Sequence, residues 1–211
     1  LADGTVVDSK TIGGSGDAWD FSFTNLPRYR YDDPRHVVEI GYTVDESGVP
    51  GYHKSVGAVS LSTGVNGRQI IGYDITNAIR QFSVTKRTSG GARLAGATLA
   101  LYSVQGGIRT LVETWRTTAA AEHVISGLEP GDYVLSETVV PDGYVRAADI
   151  AIIIAEDGTV TSGAMSVPGV VRMIDEPIPT ASVSGTKTWV DMGDEGGLRP
   201  DSISITLYAD G

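Results

Sequence analysis

Along most of this chain apolar and polar residues alternate with a period of two, in short stretches. Phe82-Ser-Val84-Thr, Tyr133-Val-Leu135-Ser and Val171-Arg-Met173-Ile each put every second side chain on one apolar face. That periodicity belongs to strands half buried in a sheet. The apolar run at residues 150–155 is short and reads as a buried strand. Gly, Pro, Asn and Asp cluster between these stretches at intervals of about 8–12 residues, as in a sandwich or a partly open barrel of antiparallel strands. Helical periodicity is weak. Residues 117–123 fit one turn of helix or a connecting loop equally well. The expected fold class is all-β.

Internal comparison divides the chain. Ser83-Val-Thr-Lys86 matches Ser184-Gly-Thr-Lys187, and the segment from Arg93 to Tyr102 matches that from Arg199 to Tyr208 at the same spacing. Tyr133 to Tyr144 matches Tyr42 to Tyr52, with Tyr, Glu and Pro in register and one residue inserted before the final Gly-Tyr. Two related domain types therefore alternate. Residues 1–80 read as the back part of one domain and residues 81–177 as a complete second domain. Residues 178–180 form a short linker stiffened by Pro179, and residues 181–211 read as the first strands of the next domain. The chain also closes on the words with which it opens. Leu1-Ala-Asp-Gly4 is echoed by Tyr208-Ala-Asp-Gly211, which suggests a window on a tandem array with a period of 207 residues. Arrays of this kind are more often structural or adhesive than catalytic.

Composition narrows the partners. The hydrophobic content of 41% is ordinary for a globular chain. No apolar run approaches the roughly 18 residues needed to cross a bilayer, so membrane insertion of this segment is not expected. The net charge of −10 argues against nucleic acid and anionic membrane surfaces, which select clustered Lys and Arg. No secretion signal opens the sequence, which in a piece of a longer protein decides nothing. The chain has no cysteine, although small secreted β-domains commonly rely on disulfides. Either the protein is intracellular or it uses a different covalent staple. No N-x-S/T sequon supports a glycosylated ectodomain.

The alternation also carries polar residues inward. Lys86 continues the face of Phe82 and Val84, Glu137 that of Tyr133 and Leu135, and Asp175 that of Val171 and Met173. In the other domain type Val183 leads to Lys187, Tyr42 and Val44 to Glu46, and Tyr73 and Ile75 to Asn77. Three polar groups in one apolar core are costly unless they satisfy one another. A buried salt bridge is one solution, though seldom a net stabiliser. The other is chemical. An amine stripped of water is pushed toward its neutral, nucleophilic form. A neighbouring acid can polarise a side-chain carbonyl and carry protons while an amide forms, releasing water from Asp or ammonia from Asn. Lysine is scarce, four against twelve arginines, yet two of the four occupy this repeated position. Arg could not serve there, because it does not lose its proton. Spacing alone leaves both solutions open.

These motifs resemble the Cna B-type (SpaA-like prealbumin) domains of Gram-positive surface proteins and pilins. The resemblance is carried in the middle segment by Phe82-Ser-Val-Thr-Lys86-Arg87, Tyr133-Val-Leu-Ser-Glu137-Thr-Val-Val-Pro141-Asp-Gly143-Tyr144 and Val171-Arg-Met-Ile-Asp175. In the flanks Lys187-Thr-Trp189, Arg199-Pro200, Phe23-Thr-Asn-Leu26-Pro27, Glu46 and Ile75-Thr-Asn77 resemble the repeat subtype, so that the likeness covers essentially the whole chain. It implies tandem β-sandwiches whose Lys and Asn or Asp are joined by an isopeptide bond, formed without an enzyme and assisted by a Glu. Carried over, it implies Lys86–Asp175 with Glu137, and Lys187–Asn77 with Glu46. Because Lys187 and Asn77 flank an intact domain, the second bond is expected between successive repeats or neighbouring molecules.

The function so implied is that of a stalk or fibre shaft of an extracellular, wall-anchored adhesin or pilus. Its partners would be neighbouring copies of the repeat, head to tail, and a host ligand held elsewhere in the protein. The alternatives are a module that binds a host protein or glycan directly, and a spacer within a secreted hydrolase. No turnover enzyme, cofactor or metal is expected. The acidic turn Asp191-Met-Gly-Asp194-Glu195 lacks the spacing of a calcium loop, and His36, His53 and His123 lack ligand spacing. Trp19, Trp115 and Trp189 read as packing residues rather than a sugar platform. Leu26-Pro-Arg-Tyr is not a sorting motif.

Overall fold

A computed structural model of the chain describes residues 4–209. Most of the terminal echo, residues 1–3, 210 and 211, lies outside the described residues. The chain divides into two compact units, Leu1–Ile178 and Pro179–Gly211. It is all-β, with no α-helix among the described residues.

The first stretch of the larger unit forms three separate two-stranded ribbons. β1 (Tyr29–Asp33) pairs with β2 (His36–Glu39), β3 (Tyr52–Val56) with β6 (Ile75–Ile79), and β4 (Ser60–Thr63) with β5 (Gln69–Gly72), all antiparallel. A short 3-10 turn at Val65–Gly67 joins β4 to β5. Ribbons this small have no second layer to lie on. Among the described residues before Arg80, Gly51 alone is fully buried, and apolar side chains such as Leu61 and Ile70 stay more than half exposed.

One residue, Arg80, separates β6 from β7, and a sandwich begins there. Its strands are β7 (Gln81–Thr88), β8 (Thr98–Gln105), β9 (Ile108–Arg116), β10 (His123–Ser126), β11 (Gly131–Val139), β12 (Tyr144–Val145), β13 (Ile150–Ile154), β14 (Val160–Ser162), β15 (Met165–Val167) and β16 (Val170–Pro177). One sheet has the order β10-β7-β16-β12, with β15 also on β16, and the other β14-β13-β11-β8-β9. Every pairing is antiparallel except that of β7 with β16, which runs parallel from Val170↔Ser83 to Asp175↔Thr88. The first and last strands of the sandwich therefore lie side by side. Residues 117–122, where a helical turn or a loop was equally expected, form the loop between β9 and β10. The β8–β9 hairpin turns on Gly106 and Gly107, both at positive φ (57° and 81°), as a tight two-residue hairpin requires.

The inward faces of the two sheets meet in a core of Phe82, Val84, Leu99, Leu101, Ile125, Leu135, Ile152, Ile154, Val171 and Met173, each at most 3% exposed. Each large apolar side chain so buried contributes about 1.5–3 kcal/mol of transfer free energy, and this is what the ribbons before Arg80 lack.

Residues 179–209, the smaller unit, contain no hydrogen-bonded strand. Their alternating apolar residues remain in water, Val183, Ile205 and Leu207 being 74–81% exposed. An extended segment becomes a strand only when its N–H and C=O groups find a partner edge. Two turns centred on Asp191–Gly197 are held locally, with Asp194 Oδ1 accepting from the backbone N–H groups of Leu198 (2.9 Å) and Arg199 (3.1 Å).

Candidate functional site

Strand geometry brings three of the charged residues named from the sequence into the middle of the sandwich. On β16 the burial alternates cleanly, with Val171, Met173 and Asp175 inward and Arg172, Ile174 and Glu176 outward. On β7 Phe82, Val84 and Lys86 point inward, and on β11 Tyr133, Leu135 and Glu137 do. The parallel register sets Lys86 opposite Met173, so Asp175 lies one inward position further along the neighbouring strand. Glu137 arrives from the facing sheet, where it pairs with Leu99.

The side chains of Lys86, Glu137 and Asp175 have no exposed surface. Lys86 Nζ donates a hydrogen bond to Asp175 Oδ1 and stands 3.0 Å from Glu137 Oε1. The Glu137 contact has ion-pair distance without hydrogen-bond alignment, so Oε1 has no hydrogen-bond partner, and Asp175 Oδ2 has none either. Glu137 Oε2 accepts from the backbone N–H of Ala147 (2.9 Å), which fixes the carboxyl's orientation. Two buried acceptor oxygens without donors are costly. Fully ionised, the cluster would also bury a net negative charge. A proton held on a carboxyl cancels that net charge, and an amide between Lys86 and Asp175 removes the charges of that pair.

In the ribbon β3–β6 a related set is assembled in the open. Asn77 Nδ2 donates to both oxygens of Glu46, at 3.0 and 2.9 Å. Tyr42, Val44 and Glu46 are half-buried in alternation, as are Tyr73 and Ile75, while Asn77 itself is exposed. The expectation that this face is a core thus meets a face that is only partly covered. Lys54 sits directly across the ladder from Asn77 and donates to the Glu46 carbonyl (2.7 Å) and to Asp45 Oδ1. That hydrogen bond holds the Asp45 carboxyl below the usual aspartate range. Lys187 belongs to the smaller unit. There its ammonium lies 3.7 Å from the centre of the Trp189 ring and donates to the Thr188 carbonyl (2.6 Å).

The weaker signals find other uses. Asp191 grips Arg199 through Nε (2.8 Å) and Nη2, which lowers the Asp191 carboxyl's pKa and raises that of the guanidinium. Trp115 packs against the core and stacks on His123, with ring centres 4.2 Å apart, while His123 Nε2 meets Glu113 at 2.7 Å. Trp19 donates to the Gly16 carbonyl (2.9 Å), and Trp189 lies beneath Lys187.

Two family descriptions match the chain. The Cna protein B-type domain matches residues 1–78 and 183–211, and the SpaA prealbumin-like fold domain matches residues 80–166. The chain belongs to the Cna protein B-type domain family. Its B-type pieces are the two stretches that flank the sandwich, and they contain Glu46, Asn77 and Lys187. The prealbumin-like match falls on the sandwich itself. Lys86 and Glu137 lie within that match and Asp175 beyond its end. Comparison with curated proteins gives no match. Among solved structures, the C-terminal fragment of the pilus adhesin SpaC from Lactobacillus rhamnosus GG is 20% identical, with a TM-score of 0.38 over 62% of this chain and 60% of that one. The pilus adhesin RrgA from Streptococcus pneumoniae is 23% identical, with a TM-score of 0.35 over 53% of this chain and 12% of that one. The chain spans less than two thirds of the length of either.

Three contributors were missed in the sequence. The Ala147 N–H that orients Glu137 is a backbone group and leaves no trace in residue type. Lys54 was a lysine without a role, and only the β3–β6 register sets it beside Asn77 and Glu46. Arg80 sits at a boundary, where charged residues are ordinarily exposed, yet it is 6% exposed.

Proposed function

We propose that this chain is a segment of the stalk or fibre shaft of a bacterial surface adhesin or pilus, and that its middle domain is closed by a covalent bond between Lys86 and Asp175. The observation that carries the proposal is a lysine with no exposed side-chain surface, hydrogen-bonded to Asp175 and 3.0 Å from Glu137. Neutral Lys86 Nζ attacks Asp175 Cγ. With Asp175 protonated, Glu137 gives its proton to the carbonyl oxygen and takes one back from the amine. It then protonates one Cγ hydroxyl, which leaves as water, and recovers a proton from the other as the amide carbonyl forms. The product is an uncharged amide. The reaction runs once per molecule and consumes its own side chains, so the domain is no turnover enzyme. Contact supplies the effective concentration, and exclusion of water makes condensation easier than keeping the charges apart.

The bond would tie β7 to β16, the first and last strands of the sandwich, and take the place of the absent disulfides. Tension entering at one end would leave at the other through an amide instead of a hydrogen-bonded ladder. Membership of the B-type family supports an extracellular, surface-fibre setting. The shaft reading divides the chain at residues 1–80, 81–177, 178–180 and 181–211, the outer pieces being parts of a second domain type. Within it, Asn77, prepared by Glu46, would react with the Lys187 of a neighbouring copy and release ammonia. Intact-protein mass measurement under denaturing conditions tests the proposal. The expected mass is one water below that of the sequence, and Lys86→Ala restores the full value for its own sequence. A full-length mass for the natural chain overturns the proposal.

A further inference from the structure

The strand that leaves the ribbon β3–β6 is the strand that enters the sandwich. β6 and β7 are separated by Arg80 alone, and a hydrogen-bonded ladder continues along one edge across that point. On one side Tyr52 pairs with Ile79, and on the other Ser126 pairs with Gln81. Between them the Arg80 N–H donates to the Gly51 carbonyl (2.9 Å), and the Gly127 N–H donates to the Arg80 carbonyl (3.0 Å). Asn77 and Lys86, one from each candidate site, therefore lie on one continuous extended segment.

Side chains close around the same point. The Arg80 side chain is 7% exposed, with Nη2 donating to the Glu156 carbonyl (3.1 Å) and Nη1 lying 3.9 Å from Glu129 Oε2. The other Glu129 oxygen accepts from the Gly51 N–H at 2.7 Å. Gly51 (φ 78°) and Gly127 touch backbone to backbone, since a Cβ on Gly51 would stand 2.8 Å from the Gly127 Cα. The His53 ring covers Gly158 so closely that a Cβ there would fall 2.4 Å from Nδ1. Thus the tip of one domain rests on two loops of the next, residues 127–130 and 156–158, and a buried cation fills the joint. Burying a guanidinium is expensive unless its surroundings hold it in place.

We infer that Arg80 and Glu129 form a clamp that fixes the domain preceding the sandwich rigidly against it, so that this surface of the sandwich is a docking face for the chain's own preceding domain. The inference deepens the shaft reading, because it makes the shaft a stiff rod at this joint, and it uses neither cross-link. A flexible tether would leave Arg80 in water and Gly51 without a carboxylate acceptor.

Amide hydrogen exchange on the full chain tests it, with Arg80→Ala and Glu129→Ala as variants. Gly51 and Gly127 are expected to exchange at least about tenfold more slowly than unpaired loop glycines. Glu129→Ala is expected to speed Gly51 exchange by about tenfold or more, because the Gly51 N–H loses its hydrogen bond to a charged group, and Arg80→Ala is expected to speed it in the same direction by releasing the Glu129 carboxylate from its cation, while Leu135 and Ile152 stay protected. Should Arg80→Ala unfold the sandwich and expose Leu135, Glu129→Ala decides, since the Glu129 side chain is more than half exposed and its loss leaves the core intact. Rapid Gly51 and Gly127 exchange in the natural chain, or unchanged Gly51 exchange in Glu129→Ala, overturns the clamp. The mass of the denatured chain is read on the same samples. A full-length mass with a protected Gly51 would defeat the cross-link and leave the clamp standing, and the reverse pattern would do the opposite.

Discussion

The chain presents one set of functional groups twice, once dry and once wet. In the sandwich an amine, an acid and a carboxyl meet with no exposed side-chain surface, between sheets lined by Leu99, Leu135 and Met173. Beside the ribbon β3–β6 an acid and a carboxamide meet at similar distances, but Asn77 is exposed and the apolar face around it is only partly covered. Apart from the carboxamide in place of a carboxyl and the Lys187 amine lying in the smaller unit, the two sets differ in their exposure to solvent. In water an ammonium and a carboxylate are content as ions, and an exposed pair is worth about 0–1 kcal/mol. Inside the sandwich the same pair must be satisfied by geometry or removed by chemistry. On the reading proposed above, condensation would follow from fold closure around the three groups.

The largest expected effect breaks the dry site. Lys86→Ala leaves Glu137 and Asp175 buried without a cation and abolishes the amide. Breaking a buried pair in this way costs about 3–5 kcal/mol before the loss of the staple is counted, and thermal unfolding should fall accordingly. Glu137→Gln keeps the shape and removes the proton carrier. Bond formation should slow by about 10²–10⁴-fold, followed as the rate at which the water deficit appears in a freshly folded sample. A deficit that appears at the natural rate would remove Glu137 from the mechanism.

Smaller effects sharpen the contrast between covered and uncovered strands. Leu99→Ala, at 0% exposure, should cost about 2–5 kcal/mol by thermal or denaturant unfolding. Leu61→Ala, at 67% exposure, should fall within about 0.5 kcal/mol of the natural chain. Equal costs would mean that the first stretch has a core of its own.

The smallest effect concerns the wet site. Folding lowers the pKa of Asp45 through its hydrogen bond with Lys54. The contact therefore adds stability at pH above the ordinary aspartate range and loses it as pH falls through the lowered value. An NMR titration should place the Asp45 midpoint below that of a free aspartate, and Lys54→Ala should bring it back up.

Much of the sandwich and its site was legible in the alternation of residues. A period of two is strict, so Val171, Met173 and Asp175 could be assigned to one face without knowing what lay opposite. The pairing of β7 with β16 was less accessible, because a parallel contact 89 residues apart in sequence leaves no local pattern. The flanks show where periodicity stops being informative. Val183, Ile205 and Leu207 alternate as well as any strand in the sandwich, yet they form none, because alternation states what a strand would bury and not whether a partner is present. Arg80 was illegible for a different reason: its burial arises from two loops meeting, and neither loop carries a recognisable motif.

The most direct test of the account is a tryptic digest of the natural chain analysed by tandem mass spectrometry. An amide at Lys86 protects that residue from cleavage, so the account predicts a branched peptide in which residues 81–87 are joined through Lys86 to Asp175 within residues 173–187, one water lighter than its two parts. Recovery of residues 81–86, cut after Lys86, and of residues 173–187 as separate linear species would contradict it.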